Sequence, residues 1–377
     1  MKFIIFFGLF VLIGLVTAPA DCLAGALSGL ELCYTIIIPS LFPFFVCSKL
    51  LIGSGAAKKL GDMCHNIMRP LFNLPGSAGI ALVLGLLSGY PVGAQCAADL
   101  YEKNLCTKAE AQRMIGFCNN SGPLFIMGSV GAGMMHSAQA GIVMYAIHVL
   151  SALTLGFMLR FYKADEKMTL QCAKYRQTAP EFHSFGAALS DAVSKSAELI
   201  LYVCGFIVFF NALVAILFRF NIIFAMQNFL KLLGISTEVS NALAFGIFEI
   251  TGGAVRAVAL PTAQLKIIVV SALLAWSGIS VILQVAGIIS KVGLSPYILI
   301  FSKAFQALIA SIYALIFLRF APSALQVFAS NKSATVNNTW FFSIKALCIG
   351  LCILIILFLC GIIKRQFDIR RKPFTHI

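Results

Sequence analysis

The sequence predicts an all-α polytopic membrane protein made of two inverted repeats, each holding a re-entrant hairpin and a broken transmembrane helix. Three observations lead there. Hydrophobic residues make up 60% of the chain and charged ones only 11%, with a mean hydropathy of +0.95, a composition that fits a membrane rather than a water-soluble core. Several apolar stretches exceed the roughly 18 residues that mark a spanning helix. Interrupted hydrophobic segments also occur in two sets, about 160 residues apart. Interruptions at matching positions of two halves point to a binding site between them.

The first interruption of each set is a tip. Residues 81–94 read ALVLGLLSGYPVGA and residues 242–255 read ALAFGIFEITGGAV. In both, an apolar run stops at a polar, Gly- or Pro-rich turn. Read as hairpins over 77–100 and 239–262, each arm of about twelve residues reaches ~18 Å. That is a little over half of a ~30 Å hydrocarbon core, so the tips fall near the midplane, where broken backbone must face protein or a wet cavity. Two ordinary spanning helices kinked at Gly and Pro are the alternative. The second interruption follows about thirty residues later, as Cys118-Asn119-Asn120-Ser121-Gly122-Pro123 and as Trp276-Ser277-Gly278-Ile279-Ser280.

Spans are expected at 3–19, 31–52, 114–135, 138–160, 196–219, 265–290, 296–319 and 341–363. With the N-terminus in the cytoplasm, most of the 28 Lys and Arg residues fall on the cytoplasmic side, among them Lys49, Lys103, Lys195 and Lys291, as the positive-inside rule requires. A full crossing by the first hairpin would instead turn the basic loops 101–113 and 160–195 outward. The same topology runs each step of the second repeat opposite to the first. The expected organisation is an N-terminal helix (1–30), a first repeat (31–160), a cytoplasmic linker (161–195), an inverted second repeat (196–320), and a C-terminal transmembrane helix with a basic tail (321–377). Residues 1–30 read either as a retained signal-anchor or as a signal peptide ending at Ala18-Pro19-Ala20. Interfacial helices are expected before each hairpin, at 56–72 and 221–234.

Candidate binding residues cluster at the interruptions. Glu249 occupies the second tip where the first has Ser88, and a carboxylate near the bilayer centre costs ~2.5–3.5 kcal/mol. It binds an ion, a proton or a substrate hydrogen, or else it forms a salt bridge with Arg256. Thr251 stands beside it. Arg256 is the one guanidinium within either hairpin, and its fork suits a carboxylate; neutralising Glu249 is the other reading. At the first tip, Ser88 and Gly89 adjoin Tyr90, whose ring stacks on a flat ligand or merely caps the turn. Asn119, Asn120 and Ser121 interrupt an apolar helix before Pro123, which removes a backbone donor. Ser277 and Ser280 repeat that interruption, with Gln284 a weaker candidate two turns on. Unwound carbonyls and half-helix ends there hold ions or anions, or the polar side chains only join helices.

Other chemistries are not indicated. The net charge of +14 is spread between spans and forms no nucleic-acid patch. The twelve cysteines include no Cys-x-x-Cys and lie mostly in apolar runs, as small packing residues do. No metal-ligand spacing, phosphate loop, dinucleotide fingerprint or nucleophile elbow occurs. The chain is therefore expected to be no enzyme, to need no cofactor, and to have the lipid bilayer and a small molecule as its partners.

Three strings carry a family resemblance: Ile38-Pro39-Ser40-Leu41-Phe42-Pro43-Phe44, Leu87-Ser88-Gly89-Tyr90-Pro91-Val92-Gly93-Ala94, and Phe117-Cys118-Asn119-Asn120-Ser121-Gly122-Pro123. They resemble the sporulation integral membrane proteins with a nucleoside-recognition, or Gate, domain, over roughly residues 30–320. That superfamily looks like the core of concentrative nucleoside transporters and the membrane part of ferrous iron transporters. The resemblance implies a concentrative-nucleoside-transporter-like fold and, in the sporulation subfamily, movement of dipicolinic acid across the outer forespore membrane. It implies a small anionic substrate, and it leaves open a homo-oligomer or association with other sporulation membrane proteins. Because the superfamily handles chemically unlike solutes, the resemblance fixes an architecture more firmly than a cargo. A nucleoside, a metal ion, or a structural role in the spore envelope are the competing readings.

Overall fold

The computed structural model describes residues 2–53, 67–164 and 184–320. Helix α1 (Lys2–Thr17) meets α2 (Pro19–Leu32) at a bend of 105°. Pro19 has no N–H to continue the ladder of α1, so it suits the first turn of a new helix. A π-wound turn, Cys33–Ile37, joins α2 to α3 (Ile38–Gly53). The expected span at 31–52 is thus the second part of a longer helical run that begins at Pro19.

Helix α4 (Ala78–Ser88) and α5 (Val92–Glu102) fold back on each other. They are followed by α6 (Lys108–Cys118), a π-helical segment (Leu124–Met134) and α7 (Ala138–Leu159). The sequence then repeats this order. Helix α8 (Phe185–Arg219) leads to α9 (Ile222–Leu232), the folded-back pair α10 (Thr237–Gly246) and α11 (Ile250–Val258), then α12 (Ala263–Trp276), α13 (Gly278–Ser290) and α14 (Tyr297–Phe320). Among the described residues, α7, α8, the run Ala263–Lys291 and α14 are each long and apolar enough to cross a membrane, and the bent α1–α2 pair makes up to five.

Two helices start earlier than the apolar pattern indicates, and capping explains both. Thr107 Oγ1 accepts from Glu110 N (3.2 Å) while Glu110 Oε2 accepts from Thr107 N (2.9 Å). This capping box starts α6 at Lys108 rather than 114. Glu110 also accepts from Arg69 Nη1 at 2.9 Å, which anchors the short helix at 67–72. Ser184 caps α8 by accepting from Ala187 N (3.2 Å), so α8 begins well before the expected 196. The second expected interfacial helix is present as α9, with Phe224, Phe229 and Leu232 exposed. Of the first, residues 56–66 lie outside the described residues, as do linker residues 165–183 and the C-terminal helix expected at 341–363.

Glycines set how closely the backbones approach. On α2, a Cβ at Gly25 would stand 2.7 Å from the Asn211 carbonyl oxygen of α8, and one at Gly29 would stand 3.0 Å from Val208 Cα. A Cβ at Gly85 or Gly93 would run into the Cys118 carbonyl, so the α4–α5 pair is pressed against the end of α6. In the second half Gly246 and Gly253 meet between α10 and α11, beside Leu273 of α12. Gly85 and Gly246 stand at the same offset as the two tips.

Gly85→Ala is therefore expected to destabilise the protein despite the better helix propensity of alanine. The added methyl must displace backbone, and such overpacking costs ~1–3 kcal/mol. A thermal melt of the purified protein in detergent should show a lower midpoint than wild type; an unchanged midpoint would mean that α4 has room against Cys118.

Candidate functional site

The two interruptions after the hairpins are true breaks in the backbone. Helix α6 stops at Cys118, and Asn119 is extended (φ −92°, ψ 95°) before winding resumes at Leu124. Helix α12 stops at Trp276, where Ser277 (φ 73°) and Gly278 (φ 82°) both take the left-handed conformation. Gly278 is free to do so, and Ser277 does so at some cost. Each break exposes N–H and C=O groups that a helix would otherwise pair.

The second hairpin tip supplies such pairing. At the second break, Ile279 N donates to the Ile247 carbonyl (2.8 Å) and Ser280 N to the Phe248 carbonyl (3.0 Å). Trp276 Nε1 also donates to the Ile247 carbonyl (3.1 Å). At the first break the tip lies equally close. A Cβ at Gly89 (φ 89°) would stand 2.6 Å from Gly122 N, and one at Gly122 would stand 2.8 Å from the Ser88 carbonyl oxygen. Glycine at both positions is what allows backbone to meet backbone there.

A second set of groups holds the first break from its other side. Lys303 Nζ, on α14 and fully buried, donates to the Asn119 carbonyl and to Gln306 Oε1 (2.8 Å). Gln306 Nε2 in turn donates to Asn120 Oδ1 (3.0 Å), and Asn120 Nδ2 donates to the Phe117 carbonyl (2.7 Å). His148 Nε2, on α7, accepts from Ser121 N (3.1 Å), and Ser121 Oγ donates to the Leu274 carbonyl of α12 (3.1 Å). Burying an ammonium in a membrane helix costs ~2.5–3.5 kcal/mol. Two hydrogen bonds to a charged group, at ~1.5–3 kcal/mol each, offset that cost. Lys303, Gln306 and His148 were not singled out in the sequence. The available signal was two polar residues three apart, on one face of the apolar helix α14.

Both tips and both breaks open onto one cavity of about 740 Å³, counting the space at its mouth. Six expected site residues line it: Ser88, Gly89 and Tyr90 from the first tip, Glu249 and Thr251 from the second, and Ser280 from the second break. Gln284 lines it as well, with Gly122 and apolar side chains from α2, α3, α8 and α13. Ser88 Oγ is buried and has no hydrogen-bond partner among the described residues.

The other five expected residues lie elsewhere. Asn119, Asn120 and Ser121 belong to the network that holds the first break, although the Asn119 side-chain amide finds no partner there. Ser277 is buried at the second break. Arg256 points away from the lining: Nη1 donates to the Gly252 carbonyl (2.9 Å), and the guanidinium lies 3.3 Å from the centre of the Phe245 ring. That stacking on α10 takes the place of the salt bridge to Glu249 that the sequence left open. Glu249 instead caps α11, accepting from Thr251 N (2.9 Å) and Gly252 N (2.8 Å). The cavity lining thus holds one charged group, the Glu249 carboxylate, and no basic side chain among the described residues.

Residues 34–164 match the Gate family, described as nucleoside recognition. Over 329 residues the chain is 32% identical to the sporulation integral membrane protein YlbJ of Bacillus subtilis (strain 168), covering 82% of this chain and 81% of that one. No solved structure matches the chain.

The network around the first break makes a direct prediction. His148→Leu should leave the buried Ser121 N–H without an acceptor, a loss of ~1–3 kcal/mol, whereas His148→Gln, which keeps an acceptor, should lose less. Thermal melts of the two variants in detergent check this ordering; equal midpoints would remove His148 from the support of the break.

Proposed function

Because the chain belongs to the family of sporulation integral membrane proteins that includes YlbJ, we propose that it is a membrane transporter of a small anionic metabolite, dipicolinic acid during sporulation. The observation that carries this reading is the single cavity onto which both hairpin tips and both helix breaks open. Such a meeting of broken elements from two halves is how many secondary transporters build a substrate site.

The proposal includes the membrane arrangement. The hairpin arms have 11, 11, 10 and 9 residues, so each reaches ~14–17 Å and cannot cross a ~30 Å core. They are read as re-entrant, entering from opposite faces. Residues 31–160 and 196–320 are then inverted repeats whose relative movement gives alternating access. The membrane is read as the outer forespore membrane, with the cytoplasmic side facing the mother cell.

An anionic ring has chemical partners in the cavity. The first turn of the π-helical segment faces it through Leu124 and Phe125, and the N-terminal end of a helix favours negative charge. Ser88 Oγ offers a hydroxyl without a partner among the described residues, and the Thr251 hydroxyl lies against the Glu249 carboxylate. Tyr90 presents a ring for stacking. The Glu249 carboxylate is held by the N-terminus of α11, whose dipole offsets its charge. The lack of a basic side chain in the lining favours a second reading, a neutral nucleoside, which also accords with the description of the Gate family.

Uptake of labelled dipicolinate into liposomes containing the purified protein tests both readings. Dipicolinate should accumulate above the level of protein-free liposomes, with unlabelled dipicolinate competing and nucleosides and divalent metal ions not competing. Ser88→Ala should raise the KM roughly five- to tenfold, the equivalent of one hydrogen bond of ~1–1.5 kcal/mol. Uptake of nucleosides without dipicolinate would favour the second reading, and uptake of neither would refute transport. Arg256→Ala at the wild-type rate would assign the arginine to the hairpin rather than to the cargo.

A further inference from the structure

A second cleft of about 810 Å³, counting its mouth, lies next to the central cavity. Its lining is richer in charge than that of the largely apolar cavity, with Lys49, Lys195, Lys291, Glu102 and Glu198; Lys49 pairs with Asp99 (3.0 Å) and Lys195 with Asp191 (2.8 Å). The positive-inside assignment puts all three lysines on the cytoplasmic side. The two spaces are therefore set in order along the membrane normal, independently of their contact.

Their walls are continuous. Helix α3 gives Leu41 to the cavity and Lys49 to the cleft, and the first hairpin gives Tyr90 and then Gln95. Helix α8 gives Val203 and then Leu199, and α13 gives Gln284 and then Ile288. Four elements thus line one space and, a turn or two further on, the other.

One side chain stands at the boundary. Tyr202 lines the cleft, and its hydroxyl donates across to the carbonyl of Gln284, which lines the cavity (3.2 Å). The hydroxyl sits directly over Gly287, where a Cβ would collide with it. The ring is braced by Phe206, with centroids 5.0 Å apart. Glycine at 287 is what lets the tyrosine close against α13.

We propose that the second cleft is the cytoplasmic vestibule of the central cavity and that Tyr202 is the barrier between them. This rests on the transport reading and adds to it the route by which cargo reaches the site. The vestibule's paired charges suit a small polar solute that arrives still hydrated, and the apolar cavity beyond strips that water. Passage requires the Tyr202 side chain to leave Gln284 and Gly287, a local movement of the kind that gates many sites.

Thiol accessibility tests the proposal without any cargo. Ser280→Cys places a nearly isosteric thiol in the cavity, and its modification by a membrane-impermeant maleimide is read by mass spectrometry on the peptide carrying that position. In membrane vesicles with the cytoplasmic face outward, adding Tyr202→Ala should speed modification by about tenfold, as a barrier lowered by about 1.4 kcal/mol would. Tyr202→Phe keeps the ring, removes only the hydroxyl and should give a smaller rise. It also serves as the test if Tyr202→Ala does not fold. Leu201→Ala, at a side chain 69% exposed on α8, should change nothing. An unaltered rate in both tyrosine variants would overturn the barrier, and a rise seen only in vesicles of the opposite orientation would overturn the vestibule. Failure of dipicolinate uptake with a positive labelling result would instead count against the cargo alone.

Discussion

An unwound helix inside a membrane leaves N–H and C=O groups that lipid cannot satisfy, at several kcal/mol for each group left unpaired. This constraint organises the molecule. Two helices are broken, after Cys118 and after Trp276, and around each break the chain brings up a hairpin tip whose own backbone is free. At the second break the pairing is explicit, from Ile279 and Ser280 to the carbonyls of Ile247 and Phe248. At the first, the tip and the break approach through Gly89 and Gly122, while Lys303 takes up the Asn119 carbonyl and His148 the Ser121 N–H. The cavity is what is left between two such joints.

The two halves solve the same problem with different chemistry. Glu249 caps the second hairpin's returning arm with both carboxylate oxygens, while Ser88, at the matching place, leaves its hydroxyl unpaired. Among the described residues, one tip is therefore satisfied internally and the other keeps a hydroxyl without a partner. The support behind the breaks is also unequal. A buried ammonium stands behind the first, whereas main-chain carbonyls and one indole suffice at the second.

Much of this was legible in the chain because the signals were local. Glycine, proline and polar residues inside apolar runs marked both tips and both breaks to within a few residues, since backbone strain and missing donors act at the position itself. Helix starts were less legible: the Thr107–Glu110 box and Ser184 moved two boundaries that hydropathy alone set too late. Long-range partnerships could not be read at all. Lys303 finds Asn119 at a separation of 184 residues, and Tyr202 finds Gln284 at 82; neither residue carries a motif. Arg256 illustrates the opposite failure. Its chemistry pointed to a carboxylate, but Phe245 on the facing helix offered a ring at 3.3 Å, and stacking with a carbonyl contact engaged the guanidinium.

The proposal that the two tips bind one ligand between them is tested most directly by a cryo-electron microscopy structure of the protein with dipicolinate. Density for the ligand should lie between Ser88 and Tyr90 on one side and Thr251 on the other, with both helix breaks retained. Ligand density remote from either tip, or breaks straightened into continuous helices with no cavity between them, would contradict the architecture of the site described above.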